Sequence, residues 1–143
     1  MASVLPSGLY TIKNVGHGQW AGHDLTLPTI KPIIGTDHLA VWVVEHIEGE
    51  RYRLTLNGFV TKPEGNVVFS YLGAGIVGTE WVLVQSEEKA NKYFISDPAF
   101  LPGFNVNVWT LKEKNARVNN IWRALQHDPN QLWVIDHFVE REA

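Results

Sequence analysis

The chain has 143 residues, 12 basic against 15 acidic side chains for a formal net charge of −3, and no cysteine. One domain over 1–143 is expected at this length, stabilised by packing alone, since disulfides, thiolate metal sites and cysteine nucleophiles are all excluded. The dispersed charge offers no basic face for nucleic acid. The start, MASVLPSGLY, lacks the basic and apolar regions of a signal peptide, and no apolar run spans a bilayer, so a cytoplasmic monomer without membrane contact or cofactor is the expectation.

In chain order, the first apolar segment is YTIKN at Tyr10, followed by QWAG, KPIIG and AVWVVEH around Trp42. The second group begins with YRLTLN at Tyr52, continues through NVVFSY and AGIVG, and closes with TEWVLVQ around Trp81. The third runs from YFISD at Tyr93 through NVNVWTL and IWRAL to QLWVIDH around Trp133. Short apolar runs bounded by Gly, Pro, Asn and Asp predict strands joined by turns, and no convincing helical period interrupts them. Each tyrosine is followed two residues later by Ile12, Leu54 or Ile95, and each tryptophan by Val44, Leu83 or Ile135, which places each pair on one strand face.

The chain is therefore expected to repeat itself over about 8–48, 49–90 and 91–139, with a period near 40 residues. KEKNARVNN supplies the extra length of the third unit. Propellers usually need at least four blades. Three four-stranded units fit a β-trefoil, a six-stranded barrel capped by three hairpins, with the repeated tyrosines and tryptophans turned inward.

Enzymatic signatures are missing: there is no G-x-S-x-G, H-E-x-x-H, P-loop or G-x-G-x-x-G. His17, His23, His38, His46, His127 and His137 show no metal-ligand spacing. His46 and His137 each stand four residues after a repeat tryptophan, which favours a structural role. Glu45 and Asp136 are repeat-equivalent as well and are expected a third of a barrel apart. The expectation is a binding protein that is not an enzyme.

The opening SGLYTIKNVG, the three W-V-hydrophobic strands and the lack of cysteine resemble the mushroom serine protease inhibitors, and more distantly the mycocypins. That resemblance implies a trefoil whose exposed loops inhibit an endopeptidase. It points first to the loop between the second and third strands, GHDLTLPTIKPI, and so to His23, Asp24, Leu25, Thr26, Leu27, Pro28 and Lys31. Prolines stiffen this stretch, and Leu25, Leu27 and Ile30 are apolar residues in an expected loop. The alternative is that they pack beneath it as a lid. Pro32 follows Lys31, giving a bond with no N–H and a restricted preceding residue. Lys31 is thus poor bait for trypsin, and Leu25 before Thr26 is the least obstructed bond.

Secondary candidates are HDPNQ before the last strand, Lys114 and Arg117 in the long charged connection, and Asn57-Gly58. The resemblance to mycocypins links an asparagine in the last of these regions to asparaginyl endopeptidase, whereas Asn-Gly is also a common turn dipeptide. A carbohydrate-binding trefoil of the ricin type is the rival reading. Against it, Gln131-Leu132-Trp133 is the one literal Q-x-W, and Asp24 and Asp97 are not equivalent in the repeats.

Overall fold

In a computed structural model, residues 5–23, 29–73, 75–86, 91–97, 106–123 and 128–139 are described. They form twelve strands: β1 (Gly8–Asn14), β2 (Trp20–His23), β3 (Ile30–Thr36), β4 (Trp42–Glu48), β5 (Arg51–Leu56), β6 (Phe59–Glu64), β7 (Val67–Tyr71), β8 (Glu80–Gln85), β9 (Lys92–Ser96), β10 (Val106–Thr110), β11 (Asn119–Arg123) and β12 (Trp133–His137). Inward positions alternate along them. In β5, Tyr52, Leu54 and Leu56 are buried while Arg51, Arg53 and Thr55 are not, as a half-buried strand requires.

β1 pairs with β12 and β4, β5 with β4 and β8, and β9 with β8 and β12, all antiparallel, so six strands close on themselves. Closure leaves no free edge in this ring. The remaining strands form the hairpins β2–β3, β6–β7 and β10–β11. These lean together, because β7 also pairs with β3 and β11, and Ile34 forms a bridge with Arg117. A barrel of six strands capped by three hairpins is a β-trefoil.

The threefold relation is visible in the strand register. Tyr10 faces Trp42 and His137; Tyr52 faces Trp81 and His46; Tyr93 faces Trp133 and Gln85. All six aromatic residues are buried. Each repeat tryptophan also donates its indole N–H to the second strand of its own unit. Trp42 reaches the Ala21 carbonyl at 3.0 Å, Trp81 the Thr61 hydroxyl at 2.8 Å, and Trp133 the Trp109 carbonyl at 3.1 Å.

Trp109 breaks the symmetry. It occupies the place of Ala21 and Thr61, and its ring meets those of Trp42, Trp81 and Trp133 at centroid distances of 6.0, 5.3 and 6.1 Å. A single large side chain thus fills the common centre of the three units. The segment before β1 is held to the tyrosines, for Tyr10 and Tyr52 donate their hydroxyls to the carbonyls of Pro6 and Leu5.

Two expectations about the strands change. AGIVG is not a strand; it belongs to the connection between β7 and β8, where Ile76 and Val77 are exposed. The second strand of that unit is FVTKPE, whose charges and proline mask an alternation that buries Phe59 and Thr61. The surplus of the third unit is also shared. Residues 111–118 link β10 to β11, while β9 ends at Ser96 and β10 begins at Val106.

Candidate functional site

The connection expected to carry binding is shorter than its sequence implies. β2 runs through His23 and β3 begins at Ile30, so Lys31 and Pro32 belong to a strand. Pro32 stands opposite Phe69 of β7, and His23, the last described residue of β2, stands opposite Ile33. Asp24, Leu25, Thr26, Leu27 and Pro28 lie outside the described residues.

Both ends of this connection are tied down. At its start, the His23 ring reaches the Leu56 carbonyl with Nε2 at 3.1 Å and the Ser70 hydroxyl with Nδ1 at 3.2 Å. The ring also packs against Phe59, with centroids 4.6 Å apart. Burial holds the His23 pKa below the ordinary histidine value; the Leu56 contact opposes that shift and the charge of Lys31 adds to it. At the other end, the Leu72 N–H donates to the Thr29 carbonyl at 2.9 Å, and Ile30 lies opposite Tyr71. The Lys31 ammonium rests 4.9 Å from the centre of the Phe59 ring.

The fold brings Asn57 to this same place. Asn57 and Gly58 join β5 to β6 with φ of 52° and 83°, the positive pair that a two-residue hairpin turn requires. Asn57, His23, Thr36, His38, Leu39 and Leu56 line a cleft of ≈ 350 Å³. Exposed apolar residues border the region: Leu39 beside the cleft, and Ile30 and Leu72 at the end of the β2–β3 connection. Neither the cleft nor the role of β7 was legible in the spacing of the residues, since Ser70 is 47 positions from His23 and Leu56 is 33.

The other candidates lie apart from it. Lys114 and Arg117 are exposed on the connection 111–118, which is pinned by Gln19: its side-chain amide donates to the Asn115 side-chain oxygen Oδ1 at 2.8 Å and accepts from the Asn115 backbone N–H at 2.7 Å. Arg117 sits 5.9 Å from the centre of the Phe69 ring. Of the stretch 127–131, Pro129–Gln131 forms a turn capped by the Asp128 carboxylate, and Gln131 is buried. Asn130 is bound at its carbonyl by the Leu111 N–H and the Asn14 amide. That turn is packed into the body of the fold.

His46 and His137 act alike, each against a repeat tyrosine. His46 lies 5.0 Å from Tyr52 and His137 lies 5.4 Å from Tyr10, centroid to centroid. Glu45 is paired with Arg53 at 3.6 Å, and Asp136 accepts from Asn91 at 3.2 Å. Among the described residues, no three His, Asp or Glu side chains are grouped as metal ligands.

No protein-family profile and no curated protein sequence matches the chain. Solved structures do match it. A salivary protein of Culex quinquefasciatus, from a cysteine- and tryptophan-rich family, has a TM-score of 0.74 at 19% identity, covering 96% of this chain and 98% of its own. A proteinase inhibitor from Coprinopsis cinerea has a TM-score of 0.71 at 15% identity, covering 94% and 99%. The ricin B-like lectin of Macrolepiota procera, solved with lactose, has a TM-score of 0.67 at 17% identity, covering 95% and 99%. At these identities the likeness establishes the trefoil class and leaves function to the site itself.

Proposed function

We propose that this trefoil inhibits an endopeptidase, presenting the β2–β3 connection as a substrate-like loop. One observation carries the reading: both ends of that connection are anchored, His23 to β5 and β7, Thr29 to Leu72, and Lys31 over Phe59. A loop ordered when the inhibitor folds loses little entropy on entering a protease cleft, where it adds backbone hydrogen bonds and fills one side-chain pocket. The trefoil proteinase inhibitor of Coprinopsis cinerea is consistent with such use of the fold.

Leu25 is the residue proposed to fill the pocket, with Thr26 following it. Lys31 is unsuited, being followed by Pro32 within β3. Asn57 is also less suited as bait, since the positive φ of Asn57 and Gly58 makes a tight turn where a cleft takes an extended segment. The expected preference is for chymotrypsin-like or subtilisin-like enzymes over trypsin. Leu25→Arg moves the preference toward trypsin, and Leu25→Gly weakens binding with little change in thermal stability. A panel of serine and cysteine endopeptidases, with mapping of any bond clipped slowly on long incubation, tests this. Tight trypsin inhibition that is indifferent to Leu25 variants refutes it and turns attention to Lys114 and Arg117.

Carbohydrate binding is the second reading, favoured by the cleft itself, which combines the Thr36 hydroxyl and Asn57 amide with the apolar Leu39. Retention on a sugar column that is lost in Asn57→Ala, together with an inactive protease panel, selects it.

A further inference from the structure

Asn57 is the one asparagine of this chain that is followed by glycine. The pair forms the turn between β5 and β6, where both residues are exposed. Register pairs Leu56 with Phe59, so the Gly58 N–H stands outside the ladder, and among the described residues it joins no turn or loop bond. Nothing among the described residues holds the Asn57 side-chain amide either. A Cβ added at Gly58 would meet only Leu72, at 3.8 Å, so the peptide nitrogen is open to approach. An electrophile, Asn57 Cγ, and a nucleophile, the Gly58 nitrogen, are thus neighbours that no outside contact restrains.

The turn itself keeps them apart. Asn57 and Gly58 have φ of 52° and 83°, the pattern of a type I′ hairpin turn, whose first central residue has ψ of about +30°. For an L residue, that ψ turns the next nitrogen away from Cβ, at a torsion of roughly 150° about the Cα–C bond. Ring closure between the Gly58 nitrogen and Asn57 Cγ needs that torsion near zero. The reaction therefore draws on the small population in which β5 and β6 part at this end.

We propose that Asn57-Gly58 is a self-modification site, gated by opening of the β5–β6 turn, that converts a neutral amide of the cleft into a carboxylate. In the open turn a solvent base takes the Gly58 N–H proton, and the nitrogen attacks Asn57 Cγ. The bond from Cγ to the side-chain nitrogen breaks, and that nitrogen takes a proton from water and leaves as ammonia. Water then opens the resulting succinimide at one of its two carbonyls. Attack at Cγ restores the main chain and leaves an aspartyl side chain. Attack at the main-chain carbon leaves the chain running through Cβ and Cγ, an isoaspartyl linkage one atom longer. The aspartyl form resumes the turn, because Asp tolerates positive φ as Asn does. The isoaspartyl form does not fit a turn whose length fixes the register. Its extra atom falls between Leu56, whose carbonyl meets His23, and Phe59, whose ring packs on His23. Either product places a carboxylate on the cleft that His23 and His38 line. The conversion rests on neither reading of function; its effect on a bound sugar rests on the carbohydrate reading above.

The test incubates the full chain for weeks in mildly alkaline buffer, folded and in urea, and maps every asparagine by peptide mass spectrometry. The peptide holding residue 57 should gain about 1 Da as two separable products, one of them a substrate for an isoaspartyl methyltransferase. Urea should speed the gain by about tenfold or more, since it removes the closed turn. Asn57→Gln should abolish it. The nuclear Overhauser contact between the His23 and Phe59 rings should persist in Asn57→Asp and disappear in the isolated isoaspartyl form. A folded chain unchanged at residue 57, a first change at another asparagine, or equal rates with and without urea overturns the proposal. Retention of the unmodified chain on a sugar column, lost in Asn57→Asp, supports the functional consequence. No retention of either refutes the carbohydrate reading while the conversion remains measurable. Equal retention of both refutes the coupling between them.

Discussion

Replacing Trp42 and Trp109 in turn by phenylalanine separates apolar packing from hydrogen bonding at the centre of the fold. Both residues are completely buried, and both substitutions delete the same atoms. Each loses packing on the order of 1–3 kcal/mol, part of the roughly 3–5 kcal/mol that truncation of a buried tryptophan to alanine costs. Their polar consequences have opposite signs. Trp42→Phe breaks the 3.0 Å bond to the Ala21 carbonyl. Trp109→Phe instead removes a buried indole N–H that has no nitrogen or oxygen partner among the described residues. Trp109 does touch three tryptophan rings where Trp42 touches one, but a phenyl group retains a face and an edge for them. The polar difference therefore decides, and Trp42→Phe should be the more destabilising by about 1–3 kcal/mol. That corresponds to about 3–10 °C in Tm for a chain of this size. Urea unfolding of both variants, extrapolated with a common slope, measures it. If Trp109→Phe costs as much as Trp42→Phe or more, the Trp109 indole has a donor role and the reasoning fails.

Thr61→Val keeps the shape of a buried side chain whose hydroxyl donates to the Leu54 carbonyl at 2.7 Å and accepts from the Trp81 indole at 2.8 Å. It should cost about 2–3 kcal/mol in the same unfolding assay, and a near-neutral result would mean that neither bond matters. Gly58→Ala has room, since the new methyl would meet only Leu72 at 3.8 Å, but the residue is held at φ +83°. Backbone strain alone should then lower stability by about 1–2 kcal/mol, and an unchanged midpoint would show that the turn relaxes. All four tyrosines resist ionisation: burial raises the pKa of Tyr10, Tyr52 and Tyr93, and burial followed by the Glu64 carboxylate pushes Tyr71 up to about 12. Each folded pKa exceeds its unfolded value, so this contribution to stability is intact below about pH 10 and is lost as pH rises through the folded values. Near-ultraviolet absorbance should show no tyrosine ionising normally until the protein unfolds, and a folded-state step at about pH 10 would contradict the burial assigned to them.

The trefoil was legible because its repeats are written in residues that alternate along strands. Tyr10, Tyr52 and Tyr93, with Trp42, Trp81 and Trp133, mark the same inward positions three times, and the structure pairs them in register. Where charge or proline obscured that alternation, the reading failed. FVTKPE forms β6 although no strand is expected there, and Lys31-Pro32, which the sequence places both in the segment KPIIG and in the loop, belongs to β3. Asn57-Gly58 was read as a turn from its dipeptide alone, because positive φ is a local property.

The sequence by itself determined what is local and periodic: strand faces, the turn chemistry, and the threefold recurrence from which barrel closure follows. Tertiary structure alone decided what meets across the repeats. Trp109 reads as an ordinary strand residue, yet it becomes the shared centre of three tryptophans. His23 reads as a loop histidine, yet its ring is held by Leu56 and Ser70, 33 and 47 positions away. Closing the barrel and folding its three hairpins together creates these contacts. No spacing within a single strand records them, because side-chain alternation specifies which face a residue occupies and not which distant strand will cover it.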